Sequence, residues 1–373
     1  MLKPKILVTS AAGRTSSIAV LELLKLGFSV RAMVRRIDGR SETLAKAGAE
    51  IIVGDQLNFK DLQAAMKGVT RAYHCPPFAA NLLENTMLFA LAAEEAKLEV
   101  VALMSGWNTI AQHKSIHSRG HWIANHIYRL MPTVDVIHIN PGLFAFTYFL
   151  GLPAIVNMGM FMAPLGNGYN APPSNEDIGR VAAHAIAKPK DHIGKSYRPT
   201  GPKLLGPTDI AAIFSGILDR KVAYKNVPFE TFTKAAQAMG FPRFDISQVG
   251  HFTEELREGA FAIGGVTDHV EQVTGVKAES FEKTARRYFR DPTLVDATMQ
   301  TGNKLSTMAF VMKMMLTKAL NAKSWEAERG HPQTAGLCLA YQDSDWVHAA
   351  ESQELNLLSF VKDQIPAPLK MTS

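Results

Sequence analysis

Short apolar runs alternate with amphipathic segments through the first 140 residues. Runs rich in β-branched residues predict strands over residues 6–8, 29–34, 49–53, 71–74, 100–104 and 134–139. Between them, apolar residues recur every three or four positions, which predicts helices over 18–26, 41–47, 59–67, 81–96 and 120–130. This alternation gives right-handed crossovers. The expected fold class is α/β, a doubly wound parallel sheet that binds ligands at the carboxyl ends of its strands.

The turn after the first predicted strand is a candidate dinucleotide site. Such a site would place glycines at positions 10, 13 and 16, but only Gly13 is present, with serines at the other two. Serine is small enough to fit, and the next helix presents backbone amides to a phosphate. An ordinary strand–helix turn is the alternative. The candidate cofactor-binding residues of this turn are Thr9, Ser10, Ala12, Gly13, Arg14, Thr15 and Ser16.

The end of the second predicted strand indicates which dinucleotide binds. An NAD site would carry an acidic residue against the ribose 2′-hydroxyl there, whereas this strand ends in Arg35 and Arg36. Two guanidinium groups, with Arg14 in the first turn, suit a 2′-phosphate through charge-assisted contacts. We therefore expect NADP(H), with two solvated surface arginines as the alternative.

A long uncharged segment is the most unusual compositional feature. Residues 136–175 contain no Asp, Glu, Lys or Arg, although 20% of the chain is charged. Prolines and glycines interrupt the segment so often that no apolar helix of membrane-spanning length remains. The N-terminus passes directly into the first strand without the apolar core of a signal peptide. We therefore expect a cytoplasmic protein without a membrane span.

Charge and cysteine content exclude several other classes. The net charge of +6 over 373 residues is small, and basic residues occur at most in pairs, so nucleic acid is not an expected partner. Cys75 and Cys338 are far apart, which excludes a disulfide framework and a thiolate zinc site. No metal is expected.

Several segments together resemble the NmrA-like group of atypical short-chain dehydrogenase/reductases. Residues 9–14 resemble the group's Thr-Gly-Ala-Thr-Gly-Arg/Lys turn, and residues 140–144 are similar to its Arg-Pro-Gly-x-Phe turn. The likeness covers roughly residues 4–290. The other similar segments are 30–35 (second strand), 48–55 (third strand and adenine-side turn), 68–77 (fourth strand), 209–227 (substrate-side lobe) and 267–281 (closing helices).

The resemblance implies a Rossmann-type domain over 1–150 and a smaller α/β substrate lobe over 151–290, with a returning strand near 195–200 joining the core sheet. Residues 291–373 would form a helical extension of unknown role. The group includes both reductases and redox-sensing regulators, so fold alone does not decide function. Further cofactor contacts implied by the resemblance are Asp55, Gln56, Cys75, Pro76, Pro77, Met104, His121, Pro141 and Gly142.

The acid–base pair of the larger superfamily is missing from this sequence. None of the eight tyrosines is followed four residues later by a lysine. His113, His117 and His121 instead recur every four residues, which on a helix forms one stripe. His117 and His121 are therefore candidate catalytic residues, as proton donors or as contacts of the cofactor ribose. The alternatives are a histidine metal site, or a loop before the helix with no catalytic role.

Candidate substrate contacts lie after the fifth and sixth strands. Ser105 stands where the superfamily keeps a substrate-binding serine and is the third candidate catalytic residue, with Trp107 as an aromatic wall beside it. A plain turn at the end of the strand is the alternative. In the group, the segment after Pro141-Gly142 covers the nicotinamide, so its Phe and Met residues imply an apolar pocket. Core packing or a homodimer face is the alternative. The candidates in that segment are Phe144, Phe146, Phe149, Met158 and Met162.

Two main functions stay open. The first is an NADPH-dependent reductase that transfers hydride to a hydrophobic small molecule bearing a carbonyl or conjugated double bond. The second is a non-catalytic NADP(H)-binding redox sensor that acts through a protein partner. An isomerase or cyclase on the same scaffold is a third reading. The Met-rich segment 308–316 either caps the pocket or packs against another subunit.

Overall fold

A seven-stranded parallel sheet forms the centre of the computed structural model, which describes residues 3–290, 304–331 and 335–353. Every neighbouring pair of strands runs parallel, so the predicted α/β doubly wound fold class is confirmed. In spatial order the strands are β3 (Glu50–Val53), β2 (Ser29–Val34), β1 (Lys5–Val8), β4 (Arg71–His74), β5 (Val100–Met104), β6 (Asp135–Ile139) and β8 (Ser196–Tyr197).

Helices connect these strands and build the rest of the described chain. In chain order they are α1 (Arg14–Lys25), α2 (Gly39–Lys46), α3 (Phe59–Met66), α4 (Leu82–Glu95), α5 (Ile116–Arg129), α6 (Leu152–Met158), α7 (Asn175–Ala187), α8 (Pro207–Leu218), α9 (Phe229–Ala238), α10 (Arg243–Arg257), α11 (His269–Thr274), α12 (Phe281–Tyr288), α13 (Lys304–Leu316), α14 (Ala322–Glu328) and α15 (Ser344–Glu351). A separate two-stranded parallel sheet pairs β7 (Met160–Ala163) with β9 (Ala223–Asn226).

Both faces of the large sheet are covered by helices. Alternate residues of a strand point to opposite faces, and β1 shows the result. Ile6 and Val8 pack with Ala19 of α1, whereas Leu7 packs with Phe89 of α4 on the other face. Because neither face is open, the carboxyl ends of the strands are the edge left for a ligand.

Helix α5 begins four residues earlier than the sequence pattern predicts. Ser115 is its N-cap, and the Ser115 hydroxyl accepts a hydrogen bond from the Ser118 amide at 3.1 Å. The helix continues through Gly120, which the pattern placed at its start. The earlier start brings His117 onto the helix.

A second apolar core lies beside the sheet. Phe149, Phe214 and Phe281 pack edge to face or tilted, with ring centroids 5.3–6.0 Å apart. The C-terminal segments join this core, because the Trp346 indole donates to the Trp107 carbonyl at 3.2 Å. The proposed domain boundaries stay predictions, and the parts of the extension at 291–303, 332–334 and 354–373 lie outside the described residues.

The uncharged segment 136–175 is divided among several short elements. It contains β6 except for its first residue, a 3-10 turn at Ala145–Phe149, α6, β7 and the first residue of α7. Across the described ranges of the chain, no helix is both long enough and apolar enough to cross a bilayer.

Replacing Gly179 by alanine should destabilise the fold by about 1–3 kcal/mol. Helices α1 and α7 pack so closely there that an added Cβ would lie 2.6 Å from the Thr15 carbonyl oxygen and 2.7 Å from the Ile18 Cβ. Gly216 of α8 is the matched control, because an added Cβ meets nothing within 4 Å. Gly216→Ala should stabilise by about 0.5–1 kcal/mol. Urea unfolding measures both, and equal effects of the two substitutions would contradict the close-packing argument.

Candidate functional site

A cavity of about 470 Å³ opens at the carboxyl ends of the central strands. Cys75 follows β4, Met104 ends β5, Pro141 follows β6, and Thr15 enters from the first turn of α1. The cavity therefore occupies the position at which open parallel sheets bind ligands.

The first strand–helix turn adjoins this cavity and is held by side chains. Ser10 occupies the left-handed region with φ of 47°, where a glycine is the usual residue. Its hydroxyl donates to the Cys75 carbonyl at 2.7 Å and accepts from the Gln56 amide at 3.0 Å. Gly13 is the N-cap of α1, and a Cβ there would lie 2.9 Å from the Ser10 carbonyl oxygen. Two hydrogen bonds thus hold Ser10 in the turn where the dinucleotide motif has its first glycine.

Seven phenylalanine rings line the cavity. They come from the 76–81 loop, from the segment after Pro141, from α9 and α10, and from the 3-10 turn Ala260–Ala262. Among the described lining residues there is no lysine, arginine or tyrosine, and the single carboxyl is that of Asp245. The aromatic lining residues are Phe78, Phe144, Phe146, Phe232, Phe241, Phe252 and Phe261.

His117 and His121 line the cavity together on α5. Their ring centroids are 4.7 Å apart, and Phe78 lies 4.0 Å from the His117 ring. Burial lowers the pKa of His121 to about 4, and burial together with the neighbouring histidines lowers that of His117. Both imidazoles are therefore neutral near pH 7, able to accept or donate a hydrogen bond but carrying no charge.

The predicted stripe of three histidines is wrong for His113. This residue precedes α5, is fully buried, and its Nε2 lies 3.0 Å from the Glu255 carboxylate of α10. The Asn108 side chain and the Ala340 amide also donate to Glu255. Within the described ranges, no three His, Cys, Asp or Glu side chains are grouped as a metal site would require.

Two polar side chains reach the cavity from the loop after β5. The Ser105 hydroxyl is buried and has no hydrogen-bond partner among the described residues. Asn108 lines the cavity as well and is anchored by Glu255. Because a buried hydroxyl is normally hydrogen-bonded, Ser105 is available to a ligand group.

The candidate substrate residues divide between the cavity and the core. Phe144 and Phe146 line the cavity, whereas the other four candidates do not. Trp107 is buried against Trp346 and against the Arg198 guanidinium, which lies 3.9 Å from its ring centroid. The remaining three are outside the cavity because Phe149 packs in the aromatic core, Met158 is exposed at the end of α6, and Met162 lies on β7.

The candidate cofactor residues follow the edge of the sheet. The Arg14 guanidinium stacks 3.7 Å above the Phe146 ring centroid, joining the first turn to the cavity. Arg35 and Arg36 are exposed after β2, with Arg36 3.9 Å from Asp38. The turn after β3 places Gln56 against Ser10. Pro76, Met104, His121, Pro141 and Gly142 line the cavity itself.

The residues that sequence reasoning missed belong to α9, α10 and the turn between them. Phe232, Met239, Asp245 and Phe252 line the cavity although they are far from the first strands in the chain. A concentration of phenylalanines over residues 229–261 was the available signal.

Comparisons with known proteins agree with this architecture. Residues 2–122 match the sequence model of the NmrA-like family, which confirms the resemblance. An NAD(P)H azoreductase of Xenophilus azovorans is 26% identical over 284 residues, which cover 76% of this chain and 97% of that protein. The NADPH complex of an Escherichia coli NADPH-dependent quinone oxidoreductase has a TM-score of 0.67 at 19% identity, covering 76% of this chain and 99% of that one. NmrA, a negative transcriptional regulator crystallised with NADP, has a TM-score of 0.64 at 18% identity, covering 78% and 96%.

Proposed function

We propose that this chain, in which residues 2–122 are NmrA-like, is an NADPH-dependent oxidoreductase that reduces an apolar, ring-containing small molecule. The observation that carries the proposal is the phenylalanine-lined cavity of about 470 Å³ at the carboxyl ends of the strands, beside the first-turn phosphate motif. The similarity to an NAD(P)H azoreductase over 97% of that protein supports the same reaction class.

The first turn fits the phosphates of such a cofactor. Gly13 caps α1 without a side chain, which leaves the first-turn amides facing outward for an anion. A side chain at Gly13 would collide with the Ser10 carbonyl, so the glycine also preserves the turn. The Ser105 hydroxyl is buried without a partner among the described residues, at the nicotinamide end of the proposed site. When bound, the reduced cofactor supplies a hydride from its nicotinamide ring.

The cofactor contacts are assigned by their place along this edge. Gly13, Arg14, Thr15 and Ser16 would hold the phosphates. Arg35 and Arg36 would bind the 2′-phosphate, and Asp55 and Gln56 lie on the adenine side. The nicotinamide end would contact Cys75, Pro76, Pro77, Met104, His121, Pro141 and Gly142.

The cavity's polar groups would orient an acceptor rather than protonate it. Ser105 offers an unpaired hydroxyl to a carbonyl, azo or similar acceptor group. With a pKa of about 4, His121 is not a protonated acid near pH 7, so solvent is the better proton source there. His117 and His121 would then contact the ligand as neutral imidazoles.

Arg35→Ala should weaken NADPH binding about tenfold while leaving NADH binding within about twofold. The exposed Arg35 follows β2, where a 2′-phosphate would lie, and NADH lacks that phosphate. Nucleotide titration followed by nicotinamide fluorescence measures both affinities. Arg220→Ala, a basic residue on the far α8–β9 connection, is the control. Equal losses for the two nucleotides would contradict the 2′-phosphate assignment.

The function itself is tested by NADPH and NADP⁺ titration, followed by NADPH oxidation with hydrophobic quinones, azo compounds, enones and aldehydes. The proposal expects binding and turnover with at least one class. Tight NADPH binding without oxidation by any of them would instead favour the redox-sensor alternative. Failure to bind either nucleotide would overturn both.

A further inference from the structure

We infer that the cavity selects cationic aromatic molecules, and that the Asp245 carboxylate recognises their positive charge. The binding part of this inference stands on the cavity alone, whereas the reduction of such molecules rests on the function proposed above.

Asp245 gives the cavity its only carboxyl among the described lining residues, and no lysine or arginine lines it. No ion pair or side-chain hydrogen bond joins Asp245 to another described residue. Its pKa is raised because burial outweighs the stabilising hydrogen bond from its own backbone amide. An acidic residue fully exposed to solvent in the first turn of a helix would not have this desolvation penalty on its charged form. A cation in the cavity would remove it, since opposite charge favours the ionised carboxyl.

The aromatic lining complements a delocalised cation. Seven phenylalanine rings border the cavity, and the negative face of an aromatic ring attracts cations as well as flat rings. Phe78 lies between the lining elements, with ring centroids 5.9 Å from Phe244 and 6.2 Å from Phe252. Asp245 and Phe252 are seven residues apart on α10 and both line the cavity, so the carboxyl and this aromatic group share one wall.

The other titratable groups of the cavity do not oppose a cation. His117 and His121 carry no charge near neutral pH because burial lowers the pKa of each. Burial raises the pKa of the Cys75 thiol, so it too is uncharged. Arg14 stacks on the Phe146 ring but is not itself among the lining residues. Asp245 therefore sets the sign of the charge inside.

A cationic acceptor also suits a cavity without a proton donor. A conjugated cation that accepts a hydride forms one new C–H bond, gains two electrons and becomes neutral. The dihydronicotinamide of NADPH is oxidised in the same step, and no proton is taken up. The described lining has no tyrosine or lysine, and its histidines are neutral, so this acceptor class needs nothing that the site lacks.

The binding test uses two probes of the same ring system and similar size, N-methylacridinium (a cation) and 9-methylacridine (neutral at about pH 8). With the full chain, fluorescence titration at about pH 8 should show N-methylacridinium binding about tenfold more tightly. Asp245→Asn should bring the two affinities within about twofold, whereas Asp245→Glu should keep the preference.

Asp345→Asn is the matched control, because Asp345 is also an acid in the first turn of a helix but lies outside the cavity. It should leave the tenfold preference unchanged. Equal binding of the two probes by the unmodified chain, or a preference that survives Asp245→Asn, would overturn the inference. Circular dichroism of each variant confirms that the fold is intact.

Turnover separates this inference from the proposed function. NADPH oxidation is measured with N-methylacridinium and with menadione, a neutral quinone. Reduction of menadione without any Asp245-dependent preference for the cation would leave the reductase standing and overturn the charge selection. Asp245-dependent binding of the cation without reduction of either compound would overturn the reductase and leave the charge selection standing.

Discussion

At about pH 5 the protein should unfold at a far lower urea concentration than at about pH 7.5. His74, His121 and His138 are buried, and burial lowers their pKa from 6.5 to about 3, about 4 and about 3. The unfolded chain therefore binds protons below about pH 6.5 that the folded chain cannot bind. Stability is complete above that pH and is lost as the pH falls toward the folded-state values.

Each of these histidines should lower the free energy of unfolding by about 2 kcal/mol at about pH 5, and the three together by about 6 kcal/mol. A typical domain is stable by only about 5–15 kcal/mol. The raised pKa of Asp245 acts in the opposite direction, since its protonation on acidification is favoured in the folded state. It is one half-buried group against three buried ones, so the net effect stays destabilising.

Urea unfolding followed by far-ultraviolet circular dichroism at about pH 7.5, 6.5 and 5 measures this loss. His138→Gln should reduce the loss between the end points by about 2 kcal/mol, because glutamine does not titrate. His348→Gln, at an exposed position of α15, should leave it unchanged. Identical midpoints across the pH range would show that the buried histidines are not held neutral.

Glu255→Ala should destabilise the protein by about 3–5 kcal/mol. The Glu255 carboxylate is fully buried on α10 and accepts hydrogen bonds from the Asn108 side chain and, at 2.9 Å, from the Ala340 amide. His113 Nε2 lies 3.0 Å from it. Alanine would leave these buried polar groups without their partner, which costs more than the loss of one exposed contact.

The neighbouring Glu254 provides the control, since its side chain is exposed on the same helix. Glu254→Ala should change the free energy of unfolding by less than about 0.5 kcal/mol. Glu255→Gln, which keeps the shape and one acceptor, should fall between the two. In the NADPH titrations described above, Glu255→Ala should also bind ligand more weakly. Glu255 anchors Asn108, and Asn108 lines the cavity. A Glu255→Ala variant as stable as Glu254→Ala would contradict the role of this network.

The sheet could be predicted from sequence because its signals are local. The strands predicted at 29–34, 71–74 and 100–104 coincide with β2, β4 and β5. The signal is clearest at 100–104, which is apolar throughout because that strand is buried on both faces. The start of α5 was predicted too late because it was placed where the apolar spacing begins, whereas the Ser115 cap fixes it four residues earlier.

The sequence named cavity residues only from the first 150 positions and none from α9 or α10. Cys75, Met104 and Pro141 follow predicted strands, so topology brings them together. Asp245 and Phe252 reach the cavity through tertiary packing of α10, and the phenylalanine content of residues 229–261 does not say against which part of the fold that helix packs. Trp107 was expected in the pocket but packs against Trp346 instead. This partner is 239 residues away in sequence, so no local pattern reveals the contact.

The pairing of residues 112–114 with Cys338 bears on the order of events during protein synthesis. The Cys338 amide donates to the Gln112 carbonyl, and the Lys114 amide donates to the Cys338 carbonyl, both at 2.9 Å. The loop that leads into α5 therefore finds its partner segment around Cys338 only after more than half the chain has followed it from the ribosome. At typical elongation rates this interval is on the order of ten seconds or more. During that time the nascent chain can assemble β1 to β6. The loop before α5, however, is anchored only after the segment around Cys338 has been synthesised.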